Sequence, residues 1–122
     1  MAYFSVGLFG ALGALIRYLV GRWVGEASFP YATLIVNVLG SLAIGYLFVV
    51  FQDGGPWGSW PMWVRTGLTV GGLGALTTFS TFSLESMRLV TSGAVGLGLL
   101  NILANNLLCL SCCYLGWRLG AV

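Results

Sequence analysis

The sequence predicts an all-α membrane protein that forms one domain of four transmembrane helices. Of its 122 residues, 58% are hydrophobic and only 7% are charged, whereas about a quarter of the residues in a soluble domain are charged. The mean hydropathy is +0.96. Such a chain cannot cover its folded surface with polar groups, so its surroundings must be lipid. Four apolar stretches occur in it, each near the ~20 residues that a helix needs to cross a bilayer.

A short turn separates the first two predicted helices. The first helix is predicted over residues 3–24, and Gly25 and Glu26 begin the turn. Pro30 suits the start of the next helix, because the N–H that proline lacks would have no helical partner there. The second helix is predicted over residues 31–51.

A loop rich in glycine and proline, QDGGPWGSWP, follows the second helix. The third segment is predicted over residues 62–90 and the fourth over residues 94–118. All five tryptophans lie near predicted helix ends, where amphipathic rings prefer the membrane–water interface. A soluble bundle would need polar outer faces, which these segments lack.

The third segment exceeds the length of one crossing and is predicted to break at mid-membrane, near residues 71–77. Three glycines in this range weaken the helix, and Thr77 and Thr78 are suitable N-caps for a second half-helix. A break is tolerated where protein or a water-filled cavity surrounds the freed backbone groups, and transporters hold ions there. The alternative is that the glycines form a packing face, which leaves the adjacent hydroxyl residues unexplained.

The distribution of arginines predicts no preferred orientation. With four crossings, Arg65 and Arg118 lie on one side, whereas Arg22 and Arg88 lie on the other, together with Arg17 if it reaches an interface. Orientation normally follows an excess of Lys and Arg on the cytoplasmic side. Four helices of this size also make a poor pore alone. We therefore expect an antiparallel, dual-topology homodimer.

Polar residues inside apolar helices are costly and usually functional. Two predicted helices carry polar residues four apart, a spacing that places side chains on one helix face. These stripes are Thr33, Asn37 and Ser41 on the second helix, and Asn101, Asn105 and Cys109 on the fourth. Beside the hydroxyl residues of the third segment they predict a narrow conduit. The alternative is that the asparagines form hydrogen bonds between helices.

The groups along this conduit favour an anion. No Asp or Glu lies at the depth of the stripes, and Glu85 is expected to pair with Arg88. Hydroxyls, amides, helix N-terminal N–H groups and Arg17 all favour negative charge. Phe79 and Phe82 can present ring edges, which carry the positive end of the aromatic quadrupole.

Composition argues against other classes of function. The chain has no histidine, the commonest acid–base group and metal ligand, and no nucleophile–base pair can be assembled. It also lacks the clustered basic face that nucleic-acid binding needs. Cys109, Cys112 and Cys113 lie in the last apolar stretch and are interpreted as packing residues, one of which faces the polar path. We therefore expect neither an enzyme nor a nucleic-acid partner.

Three motifs carry a resemblance to a known family. The strings GALGALIRY, TLIVNVLGS and GALTTFSTFS resemble the CrcB/Fluc family of bacterial fluoride channels, and the likeness covers nearly the whole chain. The resemblance implies an inverted homodimer with two pores in the bacterial inner membrane. It implies passive export of fluoride, which lowers the toxicity of the ion inside the cell.

The resemblance also implies roles for individual residues. Phe79 and Phe82 would face fluoride with their ring edges, and Asn37 would line the pore. Ser80 and Thr81 would supply hydroxyls, while Arg17 would lie near the pore entrance.

A structural sodium ion at the dimer axis is implied as well. The backbone carbonyls of Gly74 and Thr77 from each copy would bind it, and carbonyls freed by a break are suitable sodium ligands. The chain departs from the family in its fourth-helix polar track, which often uses tyrosine and serines instead of Asn101, Asn105 and Cys109. Ala75 also replaces a glycine often found at the break.

Two rival functions remain open from the sequence. A small four-helix multidrug/proton antiporter would need a carboxylate in the first helix, where this chain has none. A non-conducting membrane assembly subunit would use the polar stripes as contacts between helices. Release of fluoride from liposomes, without release of chloride, distinguishes the channel from both.

Overall fold

Three helices of the protein are long and apolar enough to cross a membrane: α1 (Ala2–Val24), α2 (Tyr31–Val50) and α6 (Val95–Gly120). The computed structural model describes all residues from 1 to 122 and contains no strand. Only 18 of the 122 residues are buried, and most large apolar side chains of α1 and α6 are exposed. Large apolar surfaces of this kind suit lipid or a further protein chain.

The chain between residues 62 and 91 forms the third helical stretch along the sequence, and this stretch consists of several pieces. They are α3 (Met62–Thr66), a π-helical segment (Gly67–Leu73), α4 (Gly74–Leu76) and α5 (Phe79–Thr91). The glycines that were expected to weaken this stretch are themselves helical. The two residues outside the helices are Thr77 (φ −83°, ψ 159°) and Thr78 (φ −155°, ψ 115°), whose backbone is extended.

Glycines bring the π-helical segment against α1. A Cβ atom at Gly13 would collide with the backbone of Gly72, and one at Gly71 would collide with the backbone of Val6. Small residues allow this close approach between membrane helices. The glycines therefore do form a packing face, which was the alternative interpretation of the sequence. The extended residues follow this face in the sequence.

A second close crossing joins α2 to α6. Gly45 of α2 lies against the carbonyl of Cys113, and Gly116 of α6 lies against the carbonyl of Leu42. Nearer the start of α6, α5 packs against it, and Gly98 leaves room for Val90. A groove lies between the π-helical segment on one side and α2 with α6 on the other.

The loop between α2 and α3 is tied to the end of α2. Arg65 Nη1 donates a hydrogen bond of 2.8 Å to the carbonyl of Phe51, the residue at the α2 C-cap. The rings of Trp57 and Trp60 stack with their centroids 5.1 Å apart. These contacts hold the start of the third helical stretch beside α2.

Candidate functional site

An uncharged groove of about 440 Å³ follows α2 and is bounded by the π-helical segment, the extended residues and α6. None of its 15 lining residues carries a charge, so an ion in the groove would meet only neutral dipoles and apolar surface. The lining comprises Asn37, Gly40, Ser41, Ile44, Thr69, Leu73, Gly74, Thr77, Thr78, Phe79, Phe82, Asn105, Asn106, Cys109 and Leu110.

The side chain of Asn37 on α2 supplies hydrogen-bond partners to the backbone of Thr78, which is extended and so lacks the partners that a helix would provide. Thr78 N donates to Asn37 Oδ1 at 2.8 Å, and Asn37 Nδ2 donates to Thr78 O at 3.2 Å. Buried backbone N–H and C=O groups need partners, and Thr78 is only 8% exposed. The side chain of Asn37 therefore stabilises the extended conformation.

Thr78 also caps α5, whose first turn borders the groove. Thr78 Oγ1 accepts a hydrogen bond of 3.2 Å from Thr81 N and donates one of 3.0 Å to Thr81 Oγ1. This is the usual arrangement at a helix N-cap. The other N–H groups of a first turn have no partner within the helix, so those of Phe79 and Ser80 remain as donors. Thr81 Oγ1, which accepts from Thr78, keeps its own hydrogen for a further acceptor.

Two phenylalanine rings stand at this end of the groove. Phe79 and Phe82 have ring centroids 5.2 Å apart and planes inclined at 58°. Phe82 is 6% exposed, whereas Phe79 is 77% exposed. One ring is thus packed within the chain, and the other extends from it towards lipid or a second chain.

The asparagines of α6 extend the hydrogen bonding away from the groove. Asn37 Nδ2 donates to Asn105 Oδ1 at 3.0 Å, and Asn105 Nδ2 donates to Asn101 Oδ1 at 2.9 Å. Asn101 Nδ2 in turn donates to Ser86 Oγ at 2.9 Å. Asn105 lines the groove, but Asn101 is fully buried and does not.

Glu85 finds its partner on α2 and not on its own helix. Its Oε1 accepts a hydrogen bond of 2.8 Å from Thr33 Oγ1, while Oε2 is buried without a hydrogen bond. The expected pairing with Arg88 is therefore not a hydrogen-bonded one, and Thr33 of the facing helix is the hydrogen-bond partner of the carboxylate.

The residues singled out from the sequence fall into two groups. Those that line the groove are Asn37, Ser41, Gly74, Thr77, Phe79, Phe82, Asn105 and Cys109. Those outside its lining are Arg17 on α1, Ser80 and Thr81 in the first turn of α5, Thr33 beside Glu85, and Asn101 in the interior.

Gly40 and Ser86 were not recognised from the sequence as residues that position the site. A Cβ atom at Gly40 would collide with the Cγ2 methyl of Thr77, so this glycine leaves room for the extended residues. Its position three residues after Asn37 was the available signal. Nothing in the sequence distinguishes Ser86 from the other hydroxyl residues of α5.

Comparisons with known proteins agree with one another. Residues 4–117 match the family described as "CrcB-like protein, Camphor Resistance (CrcB)". A protein of Magnetococcus marinus named "Fluoride-specific ion channel FluC" is 46% identical over 94% of this chain and 94% of the relative. Proteins with the same name occur in Geobacter metallireducens, 45% identical over 92% of this chain and 90% of the relative, and in Thermus thermophilus, 43% identical over 97% and 92%. The chain is thus a helical membrane protein that belongs to the CrcB family.

Proposed function

We propose that this protein is a fluoride-specific ion channel in which the ion moves passively along the groove. The observation that carries the proposal is the relation to proteins named for this activity, at 43–46% identity over more than nine-tenths of the chain. The uncharged groove supports it. Ion channels of this kind are not enzymes, and nothing in the groove needs to react with the ion.

The chemistry of the groove suits a small anion that must shed water. Its walls contain no carboxylate that would repel fluoride. The first turn of α5 reaches the lining of the groove at Phe79. It offers the N–H groups of Phe79 and Ser80 and, beside the lining, the hydroxyl of Thr81, and helix N-termini attract anions. The edges of the Phe79 and Phe82 rings add weak positive potential. Fluoride would thus bind without a full positive charge that would hold it too tightly to leave.

A multidrug/proton antiporter is disfavoured by the same features. Exchange of protons for a cationic substrate requires an ionisable carboxylate that the substrate can reach. The sequence of α1 contains no acidic residue, and Glu85 lies outside the lining of the groove. A non-conducting assembly subunit is disfavoured by the relation to named channels.

The conducting unit is an antiparallel homodimer in the bacterial inner membrane, with each chain crossing several times. Two features support this part of the proposal. Arginines are almost evenly divided between the two sides, and the groove of a single chain is open. Phe79, which is 77% exposed in one chain, would be covered by the second copy. The interruption at Thr77 and Thr78 would then lie at mid-membrane.

A structural sodium ion on the dimer axis fits the carbonyl groups present. In a continuous helix, the carbonyl of Gly74 would accept from the N–H of Thr78, but that N–H donates to Asn37. The carbonyl of Thr77 precedes a residue with extended backbone. Two such oxygens from each copy would give the oxygen-rich coordination that a hard cation requires, and sodium would join the two interruptions.

Reconstitution into liposomes tests the proposed function. Vesicles loaded with potassium fluoride and supplied with valinomycin should release fluoride to an ion-selective electrode, whereas vesicles loaded with chloride should release none. Silence from correctly folded protein would contradict the proposal. Orientation is tested separately with tags on both termini, and tags found on one side only in all molecules would exclude the antiparallel dimer.

A further inference from the structure

We infer that Asn101 and Ser86 are positioning residues for the fluoride pathway. They fix the direction of a chain of hydrogen bonds, and this chain of hydrogen bonds holds the first turn of α5 in place. The inference rests on the proposed function. Neither residue lines the groove. Asn101 is 0% exposed and Ser86 is 3% exposed, so both act only through the residues that they contact.

The chain of hydrogen bonds begins and ends on the backbone of one short segment. It starts at Thr78 N, passes through Asn37, Asn105 and Asn101, and reaches Ser86, as described above. Ser86 Oγ then donates to the carbonyl of Phe82 at 2.8 Å. The two backbone ends, Thr78 and Phe82, enclose the turn that carries Phe79, Ser80 and Thr81.

Both ends of the chain of hydrogen bonds require that donors and acceptors follow one another in the same direction. A backbone N–H can only donate, so Thr78 requires the oxygen of the Asn37 amide, and the NH₂ group of Asn37 then faces Asn105. A backbone carbonyl can only accept, so Ser86 must donate to Phe82 and is left to accept from Asn101. Every amide orientation between the two ends follows from these two constraints. Because the dipoles are aligned, each bond strengthens the next one.

This arrangement changes the role of Asn37. One hydrogen of its NH₂ group points to Thr78 O and the other to Asn105 Oδ1. No amide hydrogen of Asn37 is therefore free to bind an ion in the groove. Asn37 supports the turn that presents other donors, and Asn101 with Ser86 keeps it in the orientation that does so.

Ser86→Ala and Ser83→Ala form a matched pair that tests the inference. Both serines lie on α5 and donate to the carbonyl four residues earlier, each at 2.8 Å. Only Ser86 also accepts from an asparagine. Loss of a partner by a buried donor is costly, so we expect Ser86→Ala to lower fluoride release per folded channel by about tenfold or more, and Ser83→Ala to stay within about threefold of the original.

Asn101 supplies the second pair of variants. Asn101→Leu removes the amide, whereas Asn101→Asp, in its neutral form, keeps an oxygen that accepts from Asn105 and a hydroxyl that donates to Ser86. We expect Asn101→Leu to lose at least about tenfold in fluoride release, and Asn101→Asp to restore most of it. If Asn101→Leu released fluoride as fast as the original protein, the amide would contribute packing only and the inference would fail.

Hydrogen exchange at the Thr78 amide gives a measurement that does not depend on fluoride. NMR in detergent micelles should show exchange about tenfold faster in Ser86→Ala and Asn101→Leu than in Ser83→Ala. Equal exchange in the matched pair would overturn the inference. So would a lowered melting temperature combined with unchanged fluoride release per folded channel. If the unmodified protein released no fluoride, the proposed function would fail. The exchange rates would still show whether Ser86 and Asn101 stabilise the chain of hydrogen bonds.

Discussion

The side chain of Asn37 pairs with the backbone of Thr78 through two hydrogen bonds, as neighbouring residues of two β-strands do. Thr78 N donates to Asn37 Oδ1 at 2.8 Å, and Asn37 Nδ2 donates to Thr78 O at 3.2 Å. An extended residue inside a membrane protein needs such partners, since the surrounding lipid offers no hydrogen bonds. The pairing explains how α4 can end and α5 can begin with only two residues between them.

Asn37→Asp should abolish fluoride release. Asp still accepts from Thr78 N but cannot donate to Thr78 O or to Asn105, and it places a negative charge in the groove that an anion must pass. We expect a loss of at least about a hundredfold, measured with a fluoride electrode on proteoliposomes. Asn37→Ala separates the two causes, because it removes the hydrogen bonds without adding charge. Normal release by Asn37→Asp would exclude the groove as the pathway.

Phe82→Ile should strongly reduce fluoride release while the protein remains assembled. Isoleucine fills a similar apolar space but lacks the positive ring edge. Phe4→Ile is a suitable control, because Phe4 lies on α1 and is 75% exposed. Gel filtration checks assembly, and the electrode checks release. If both variants conduct equally well, the Phe82 ring contributes packing only.

Gly40→Ala should impair conduction by displacing Thr77. The added methyl group would collide with Thr77 Cγ2, and overpacking of this kind costs about 1–3 kcal/mol. Thr77→Ser removes that methyl and keeps the hydroxyl that donates to Leu73 O. The double variant Gly40→Ala/Thr77→Ser should therefore regain much of the fluoride release.

Gly7→Ala provides the control for this series, because nothing lies within 4 Å of a Cβ atom at that position. Full activity of Gly40→Ala, or failure of Thr77→Ser to improve it, would show that the contact does not position the extended residues.

Gly45→Ala should lower the stability of the folded protein. A Cβ atom at this position would collide with the backbone of Cys113 and Trp117 on α6, and backbone atoms cannot move aside as a flexible side chain can. We expect a loss of about 1–3 kcal/mol, seen as a lower melting temperature in detergent. Gly96→Ala, whose Cβ would meet no atom within 4 Å, should melt at the original temperature or slightly above it, because alanine favours helix. Equal melting temperatures would mean that α2 and α6 can separate without cost.

The class of protein and its family followed from sequence alone. The low charge and the long apolar stretches require a lipid environment, because no arrangement of these residues could cover the surface with polar groups. The string TTFSTF and the two motifs before it predicted the family, which the match over residues 4–117 confirmed. The extended residues of the third helical stretch lie within that string, at Thr77 and Thr78.

Which polar residue meets which neighbour was decided only by the tertiary structure. Spacing by four places Asn101, Asn105 and Cys109 on one face of a helix, but it does not say whether that face meets a groove or another helix. The close crossing of α2 and α6 turns Asn105 and Cys109 to the groove, while Asn101 is buried against Ser86 of α5. The space that Gly40 leaves for Thr77 likewise arises only when two distant segments touch, so no local pattern could reveal it.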